Sequence, residues 1–459
     1  MTNPALPLRR LGPSGVLFLI LLPLLALLWA RSASAEPAQP RKETTLDAAQ
    51  RARIIDRLAA ALNEQYVFPE TAKKMEARLR ERLKAGAYDR ITRPQEFEDV
   101  VTGDMRAVSK DGHLSLLYTP VPLPTRGKDP QKEAAEREKL HRMRAEDNFG
   151  FERLEHLTGN VGYLDLRGFD DPAFAGETAS AAMNFLANSD AVIIDLRQNH
   201  GGKPEMVQLI SSYFFDEPTH LNDFFIREGN KTKQFWTSAH VAGKRMTDKD
   251  VYILTSHGTF SAGEEFCYDF QNLKRGTLVG ETTGGGAHPV HAASLPDVPF
   301  AAAIPFGRAV NPITHTNWEG TGVKPDVAVP AAQALQTAHE LALKKLLEKA
   351  QDAERKQALA WDLEQVRAQA QPVSLSPEVM KAYAGTYGAY AVTLENDALW
   401  LQLPNKPKLR LLPMTKDVLL PEGISFVRVR FDKDAAGKVT GLTSLFQDGS
   451  SEPALRTGN

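Results

Sequence analysis

Two short runs constrain this chain most. Ala191-Val-Ile-Ile-Asp-Leu and Val251-Tyr-Ile-Leu-Thr are continuously apolar and rich in β-branched residues. A strand with one wet face alternates polar and apolar side chains. A run without alternation belongs to a strand covered on both faces, as in a parallel sheet. The neighbouring segments agree. Residues 161–166 read as a short strand, 179–187 as a small-residue helix and 205–215 as a second helix. Residues 261–273 read as a third helix and 277–281 as a further strand. Strands alternating with helices predict βαβ units and an α/β domain.

The flanks differ. Leu58, Leu62 and Tyr66, then Met75, Leu79 and Leu83, recur at helical spacing, so residues 44–110 read as helical. Arg126 to Asp147 is dense in Lys, Arg and Glu and reads as a solvated loop leading into a polar helix. Residues 333–370 are rich in Ala, Leu, Lys and Glu and predict a long helix or a helix pair. From Pro377 onward the character changes to short strand candidates separated by turn residues: 389–394, 399–403, 408–412, 418–420, 425–431 and 440–446. These predict a small antiparallel β-barrel or sandwich. The expected division is a leader over 1–35, a helical N-terminal lobe over 36–120 and a charged linker over 121–150. An α/β catalytic core follows over 151–332, a helical connector over 333–373 and an accessory β domain over 374–459.

Residues 1–35 carry Arg9, Arg10 and Arg31 and no acid, and an apolar run from Val16 to Ala30 is broken only by Pro23. Ala33-Ser34-Ala35 is a small-x-small cleavage site. Together these predict a secretory signal peptide, removed from an exported, periplasmic or secreted protein that keeps no stable membrane anchor. The whole chain has a net charge of −2, and removal of those three arginines takes it to −5. No basic excess points to nucleic acid. The single cysteine, Cys267, excludes an internal disulfide and a multi-cysteine metal site. With 42% hydrophobic and 24% charged residues the chain is neither mainly disordered nor a polytopic membrane protein.

Chemistry concentrates where buried strands end. Ser256-His-Gly-Thr-Phe-Ser261-Ala262-Gly-Glu264 stands between a strand and a helix. A serine there lies beside unpaired N–H groups at the positive end of the helix dipole, a place that favours a developing oxyanion. The plain alternative is an N-cap, because Glu264 three residues on completes a capping box. Asp195-Leu-Arg-Gln-Asn199-His200-Gly201-Gly202 leaves the C-terminal end of another buried strand, where α/β folds bind ligands. Its glycines allow close backbone approach, and the N–H groups of Gly201 and Gly202 with that of Ala262 would make an oxyanion hole. A nucleophilic serine needs a base, and His113, His200, His257, His288, His291 and His315 are all candidates that spacing does not separate. There is no His-Glu-x-x-His or His-x-x-Glu-His pattern, no Walker loop, no convincing dinucleotide loop and no Gly-x-Ser-x-Gly around Ser261. No metal and no cofactor is expected.

Taken together, four motifs resemble the tail-specific, or C-terminal-processing, serine peptidases. They are Asp195-Leu-Arg-Gln-Asn-His-Gly-Gly, Gly258-Thr-Phe-Ser-Ala-Gly-Glu, Gly280-Glu-Thr-Thr-Gly-Gly-Gly-Ala-His-Pro and Asn317-Trp-Glu-Gly-Thr-Gly-Val-Lys-Pro-Asp. Tyr66-Val-Phe-Pro-Glu and Asp111-Gly-His-Leu-Ser resemble the N-terminal region of bacterial relatives of interphotoreceptor retinoid-binding protein. The resemblance implies a crotonase-like ββα superhelix as the core. It implies Ser261 as the nucleophile. Gly286 occupies the position of the family's dyad lysine, so the resemblance turns to the tricorn-core arrangement. That arrangement implies His113 as the base and Glu319 as its supporting carboxylate. Gly112 stands where a second serine would, which leaves Glu319, directly or through water, to orient the imidazole. His288 is the alternative base. Too few residues separate His113 from Gly159 for the family's inserted PDZ domain.

The function expected is hydrolysis of peptide bonds in a peptide or protein substrate through an acyl-enzyme. The alternative is a non-catalytic carrier of hydrophobic ligands, or an interaction protein, on the same fold. A coenzyme A thioester enzyme shares the core, but the export signal argues against it. Assembly is open, and an oligomer is compatible with the sequence.

Overall fold

The computed structural model describes residues 45–120 and 130–458. The leader expected over 1–35, its cleavage site and part of the charged linker lie outside these residues. The described chain forms two compact units. One comprises the residues up to Met143 together with Val290–Phe306, and the other comprises Arg144–Pro289 together with the residues from Gly307 onward.

The first unit is built on α1 (Ala48–Gln65), α2 (Pro69–Lys84) and α3 (Pro94–Ser109). Asp47 and Gln50 form a reciprocal capping box at the start of α1, at 2.7 and 2.8 Å. Proline at the first position starts α2 and α3, where its missing N–H costs nothing. The three helices bury Leu58, Leu62, Met75, Leu79, Phe97 and Val101. A three-stranded antiparallel sheet completes the unit, in the order β1 (Ser115–Tyr118), β10 (Phe300–Pro305), β9 (Val290–Ser294). Residues 290–306, expected within the α/β core, belong to this unit. Within them β10 pairs with β1, Ser115 opposite Ala303 and Tyr118 opposite Phe300, and β9 pairs with β10. A polar helix, α4 (Pro130–Glu146), follows.

The second unit contains a six-stranded sheet in the order β12-β8-β7-β4-β3-β2. Its strands are β2 (Phe151–Leu157), β3 (Val161–Leu166), β4 (Ala191–Asp195), β7 (Asp250–Thr255), β8 (Thr277–Gly280) and β12 (Val327–Ala328). All neighbours are parallel except the edge pair β2–β3. β4 shows why its sequence lacks alternation. Val192 and Ile194 face one core with α5 (Pro172–Leu186), α6 (Pro204–Ser211) and α7 (Ala262–Asn272). Ala191 and Ile193 face a second core under α8 (Ala331–Lys349) and α9 (Ala353–Ala370). Successive residues of a strand point to opposite faces, so both must be apolar here. The helices read as a connector thus cover one whole face of the sheet. Ala334, Ala338 and Ala342 form the stripe with which α8 meets the strands.

A small sheet, β11 (Gly307–Val310), β5 (His220–Ile226), β6 (Lys231–Trp236), is inserted in the same unit. The C-terminal region is a closed antiparallel barrel in which every strand pairs with its sequence neighbours. It is led by α10 (Pro377–Tyr383). The strands are β13 (Gly385–Tyr387), β14 (Tyr390–Glu395), β15 (Ala398–Gln402), β16 (Leu409–Pro413), β17 (Val418–Pro421), β18 (Val427–Lys433), β19 (Val439–Phe446) and β20 (Ser451–Gly458). Asn396 and Asp397, with φ of 50° and 57°, make the two-residue turn between β14 and β15. The barrel leans on α9 through Trp361, whose indole N–H donates to the Ser425 carbonyl at 2.7 Å while the Arg428 guanidinium stacks on its ring at 3.7 Å.

Candidate active site

Ser261 stands between β7 and α7 with φ 55° and ψ −120°, a conformation that residues other than glycine avoid. Such strain costs on the order of 1–3 kcal/mol and persists only where surrounding bonds overdetermine it. They do so here. The Ser261 N–H donates to Glu264 Oε2 at 2.9 Å. Its carbonyl accepts from the Glu264 and Glu265 N–H groups at 2.8 and 2.9 Å. The turn before it is fastened to the loop leaving β4. Thr259 Oγ1 donates to the Leu196 carbonyl at 2.8 Å, Ser256 Oγ to the Arg197 carbonyl at 2.5 Å, and the Phe260 N–H to the Asn199 carbonyl at 2.9 Å.

That loop packs against the serine. A Cβ on Gly201 would come within 2.6 Å of Ser261 Cβ, and one on Gly202 within 2.0 Å of the Phe169 carbonyl. Both glycines also have positive φ, 96° and 145°, so both positions exclude a side chain twice over. Asn199, fully buried, shapes the loop. Its Nδ2 donates to the Leu166 carbonyl at 2.9 Å and its Oδ1 accepts the Gly201 N–H at 2.9 Å. The Gly201 N–H is therefore already taken, which removes it from the three oxyanion donors expected. The N–H groups of Gly202 and Ala262 carry no hydrogen bond among the described residues.

Glu264 is the hub of this unit's site. It is 0% exposed. Its Oε1 accepts from Thr283 Oγ1 at 2.5 Å and the Gly285 N–H at 2.6 Å, and its Oε2 from the Gly286 N–H at 2.8 Å as well as from Ser261. Burial pushes its carboxyl up to about 7, against the pull of those four donors. One side chain thus ties the serine turn to the loop after β8. The capping box legible in the sequence is here a clamp. Gly286 meets it through its N–H in place of any lysine.

The same loop is joined to the fourth motif. The Trp318 indole donates to the Gly286 carbonyl at 2.7 Å, the Gly320 N–H to the Gly285 carbonyl at 2.9 Å, and the Ala287 N–H to Glu319 Oε2 at 2.6 Å. His288 Nδ1 lies 3.5 Å from the same Glu319 oxygen, both side chains being largely buried. Lys274 follows the far end of α7, and an 11-residue helix spans about 16 Å, so it is not a base for Ser261.

His113 belongs to the first unit. It lies in the loop between α3 and β1, opened by Lys110 at φ 60°. Asp111, 1% exposed, accepts the His113 N–H at 3.1 Å and the Tyr66 hydroxyl at 3.1 Å. His113 itself is buried. Ser261, Gly201, Gly202, Ala262, Glu319 and His288 all belong to the second unit. Of the other histidines, His257 is 78% exposed beside Glu281. His291, on β9, meets Gln65 Oε1 at the end of α1 at 2.7 Å. His200 is half-buried, and that burial lowers its pKa.

The model of peptidase family S41 matches residues 160–329, and that of the N-terminal domain of these peptidases in eukaryotic IRBP matches residues 45–154. A carboxyl-terminal-processing protease of Picosynechococcus sp. is 26% identical over 204 residues, covering 44% of this chain and 47% of that protein. A protein of the same description from Synechocystis sp. is 31% identical over 126 residues, 28% of each chain. The chain spans about half the length, or less, of these curated relatives. Among solved structures, the photosystem II D1 C-terminal processing protease aligns with a TM-score of 0.40 at 16% identity, over 62% of this chain and 94% of that one. The tricorn protease aligns with 0.40 at 14%, over 70% and 37%. The two matched segments adjoin and contain all four site motifs as well as His113, and the chain belongs to peptidase family S41.

Proposed function

We propose that this chain is an exported serine peptidase that cleaves peptide bonds through an acyl-enzyme at Ser261. The observation that carries the proposal is the strained Ser261 turn at the start of α7, with the Gly202 and Ala262 N–H groups unengaged beside it. A nucleophile held at a helix N-terminus presents its hydroxyl while adjoining N–H groups meet the oxyanion. His113 removes the Ser261 proton as the hydroxyl attacks the substrate carbonyl. Gly202 and Ala262 receive the negative oxygen. The imidazolium then protonates the leaving amine, and water, deprotonated in turn, releases the acyl group. Glu319 orients the imidazole. The pairing of His288 with Glu319 at 3.5 Å supports a second assignment, in which His288 is the base and Glu319 its partner.

The finer fold reading, a crotonase-like ββα superhelix, rests on the family and on the β2–β3–α5 succession. Export rests on the leader motif of residues 1–35, and places cleavage after Ala35 and the mature enzyme in the periplasm or medium. Among the described residues no helix is long and apolar enough to cross a membrane. The test is hydrolysis of a peptide library by the purified chain. Ser261→Ala is expected to abolish cleavage with the thermal unfolding curve unchanged. Cleavage that survives in that variant overturns the assignment and turns attention to ligand carriage.

A further inference from the structure

Helix α7 holds two carboxyls that this chemistry does not use. Glu265 and Asp269 lie one turn apart, and are 2% and 0% exposed. The Glu265 carboxylate accepts one hydrogen bond among the described residues, from Asn222 Nδ2 on β5 at 3.3 Å. Neither oxygen of Asp269 meets a hydrogen-bond partner there. Among the described residues no cation pairs with either carboxyl, and the nearest acid on α6, Glu205, is itself paired with Lys233 on β6 at 2.7 Å. α6 presents Glu205, and α7 presents Glu264 and the Cys267 thiol. β5 presents the amide of Asn222, while its His220 and Asp223 pair with each other at 2.7 Å. β8 carries no ionisable side chain. Phe266 and Phe270, both fully buried, alternate with the pair along the helix.

A buried carboxylate without donors, as at Asp269, is among the most costly groups a fold can hold, and Glu265 a turn away, with its single amide donor, adds repulsion between like charges. We propose that Glu265 and Asp269 share a proton at neutral pH and form an alkali-sensitive latch in the helix that carries Ser261. With one proton in place the pair is singly charged, with two it is neutral, and in either form α7 packs between α6 and β8. Without it, two like charges stand in an apolar layer and the helix loosens from its neighbours.

The sign follows from where the proton is held. In the unfolded chain both carboxyls are solvated, with ordinary values, and ionised at neutral pH. In the folded chain burial pushes Glu265 up to about 8 and Asp269 in the same direction. The folded state binds the extra proton, so this contribution is whole below the ordinary carboxylate range. It is lost as pH rises through the folded values. Each such proton makes the folding equilibrium constant fall about tenfold per pH unit between those limits.

Infrared spectroscopy of the intact protein tests the latch, with urea unfolding as a function of pH. The wild type at neutral pH is expected to show the carbonyl stretch of a protonated acid that Asp269→Asn removes. Between the ordinary carboxylate range and about pH 8, the variant's folding constant is expected to fall about tenfold less per pH unit. Glu265→Gln gives the same comparison from the other member. If neither variant folds, the wild type alone decides. The acid band and the hydrogen-exchange protection of α7 amides are expected to disappear together as pH is raised. Absence of the band at neutral pH, or an unchanged band and pH slope in both variants, overturns the proposal. So does a stoichiometric cation in the native protein that Asp269→Asn no longer retains.

Discussion

Glu264→Gln tests the clamp at the centre of the site with the smallest change in shape. Each Glu264 oxygen accepts two donors, Thr283 and Gly285 on one and Gly286 and Ser261 on the other. An amide NH2 in place of either oxygen leaves two buried donors facing a donor. Each orphaned donor costs about 1–3 kcal/mol, or about 2–6 kcal/mol for the two. The neutral amide gives part of this back. Burial raises the Glu264 carboxyl from 4.5 to about 7, so the ionised form carries a penalty on the order of 3 kcal/mol that glutamine does not. The net stability change is therefore small, between about −1 and 3 kcal/mol of destabilisation, and the variant folds. Its nucleophile does not keep its place, because Ser261 or Gly286 loses an anchor or the loop re-sorts around the amide. A misplacement near 1 Å costs about 100-fold in rate. The assay is the rate of fluorophosphonate labelling of folded protein, with thermal unfolding in parallel. The stability difference should also shrink with rising pH: the wild type loses the Glu264 contribution as pH passes about 7, and the glutamine has none to lose. A folded variant that labels within threefold of the wild-type rate refutes the clamp.

Gly201→Ala places a Cβ 2.6 Å from Ser261 Cβ at a φ of 96°. It is expected to lower stability by more than about 1 kcal/mol and to abolish labelling, as read by unfolding and by the same probe. Asn199→Ala frees the Gly201 N–H and removes the bond to Leu166. A loss of about 2–3 kcal/mol in urea unfolding is expected, with labelling reduced. Cys267 is fully buried and its thiol is pushed well above its ordinary value by burial and by Glu264 and Asp269. Thiol reagents are expected to leave the native protein untouched and to modify Cys267 once it is unfolded, as counted by mass spectrometry.

How much was legible in the sequence follows from how local each signal is. β4 and β7 stand out because both faces of each strand need apolar residues. Ser261 and Glu264 stand out because a capping box is a three-residue spacing. β9 and β10 do not, since Val-His-Ala-Ala-Ser and Phe-Ala-Ala-Ala-Ile-Pro lack β-branched density. They become strands only by pairing with each other and with β1, far away in sequence. β20 carries Pro453 and is largely exposed, so nothing local marks it as the strand that closes the barrel on β13. In the site, the meeting of His288 with Glu319 and the capture of the Gly201 N–H by Asn199 are tertiary facts. Residue spacing holds no trace of either.

The central claim is that Ser261 is an activated nucleophile. Fluorophosphonate labelling followed by peptide mapping tests it directly, on the wild type, Ser261→Ala, His113→Ala and His288→Ala. One adduct is expected, on Ser261, absent from Ser261→Ala, lost in His113→Ala and kept in His288→Ala. Loss in His288→Ala with retention in His113→Ala moves the base to the second assignment. No adduct on the folded wild type, or an adduct on another residue, contradicts the claim.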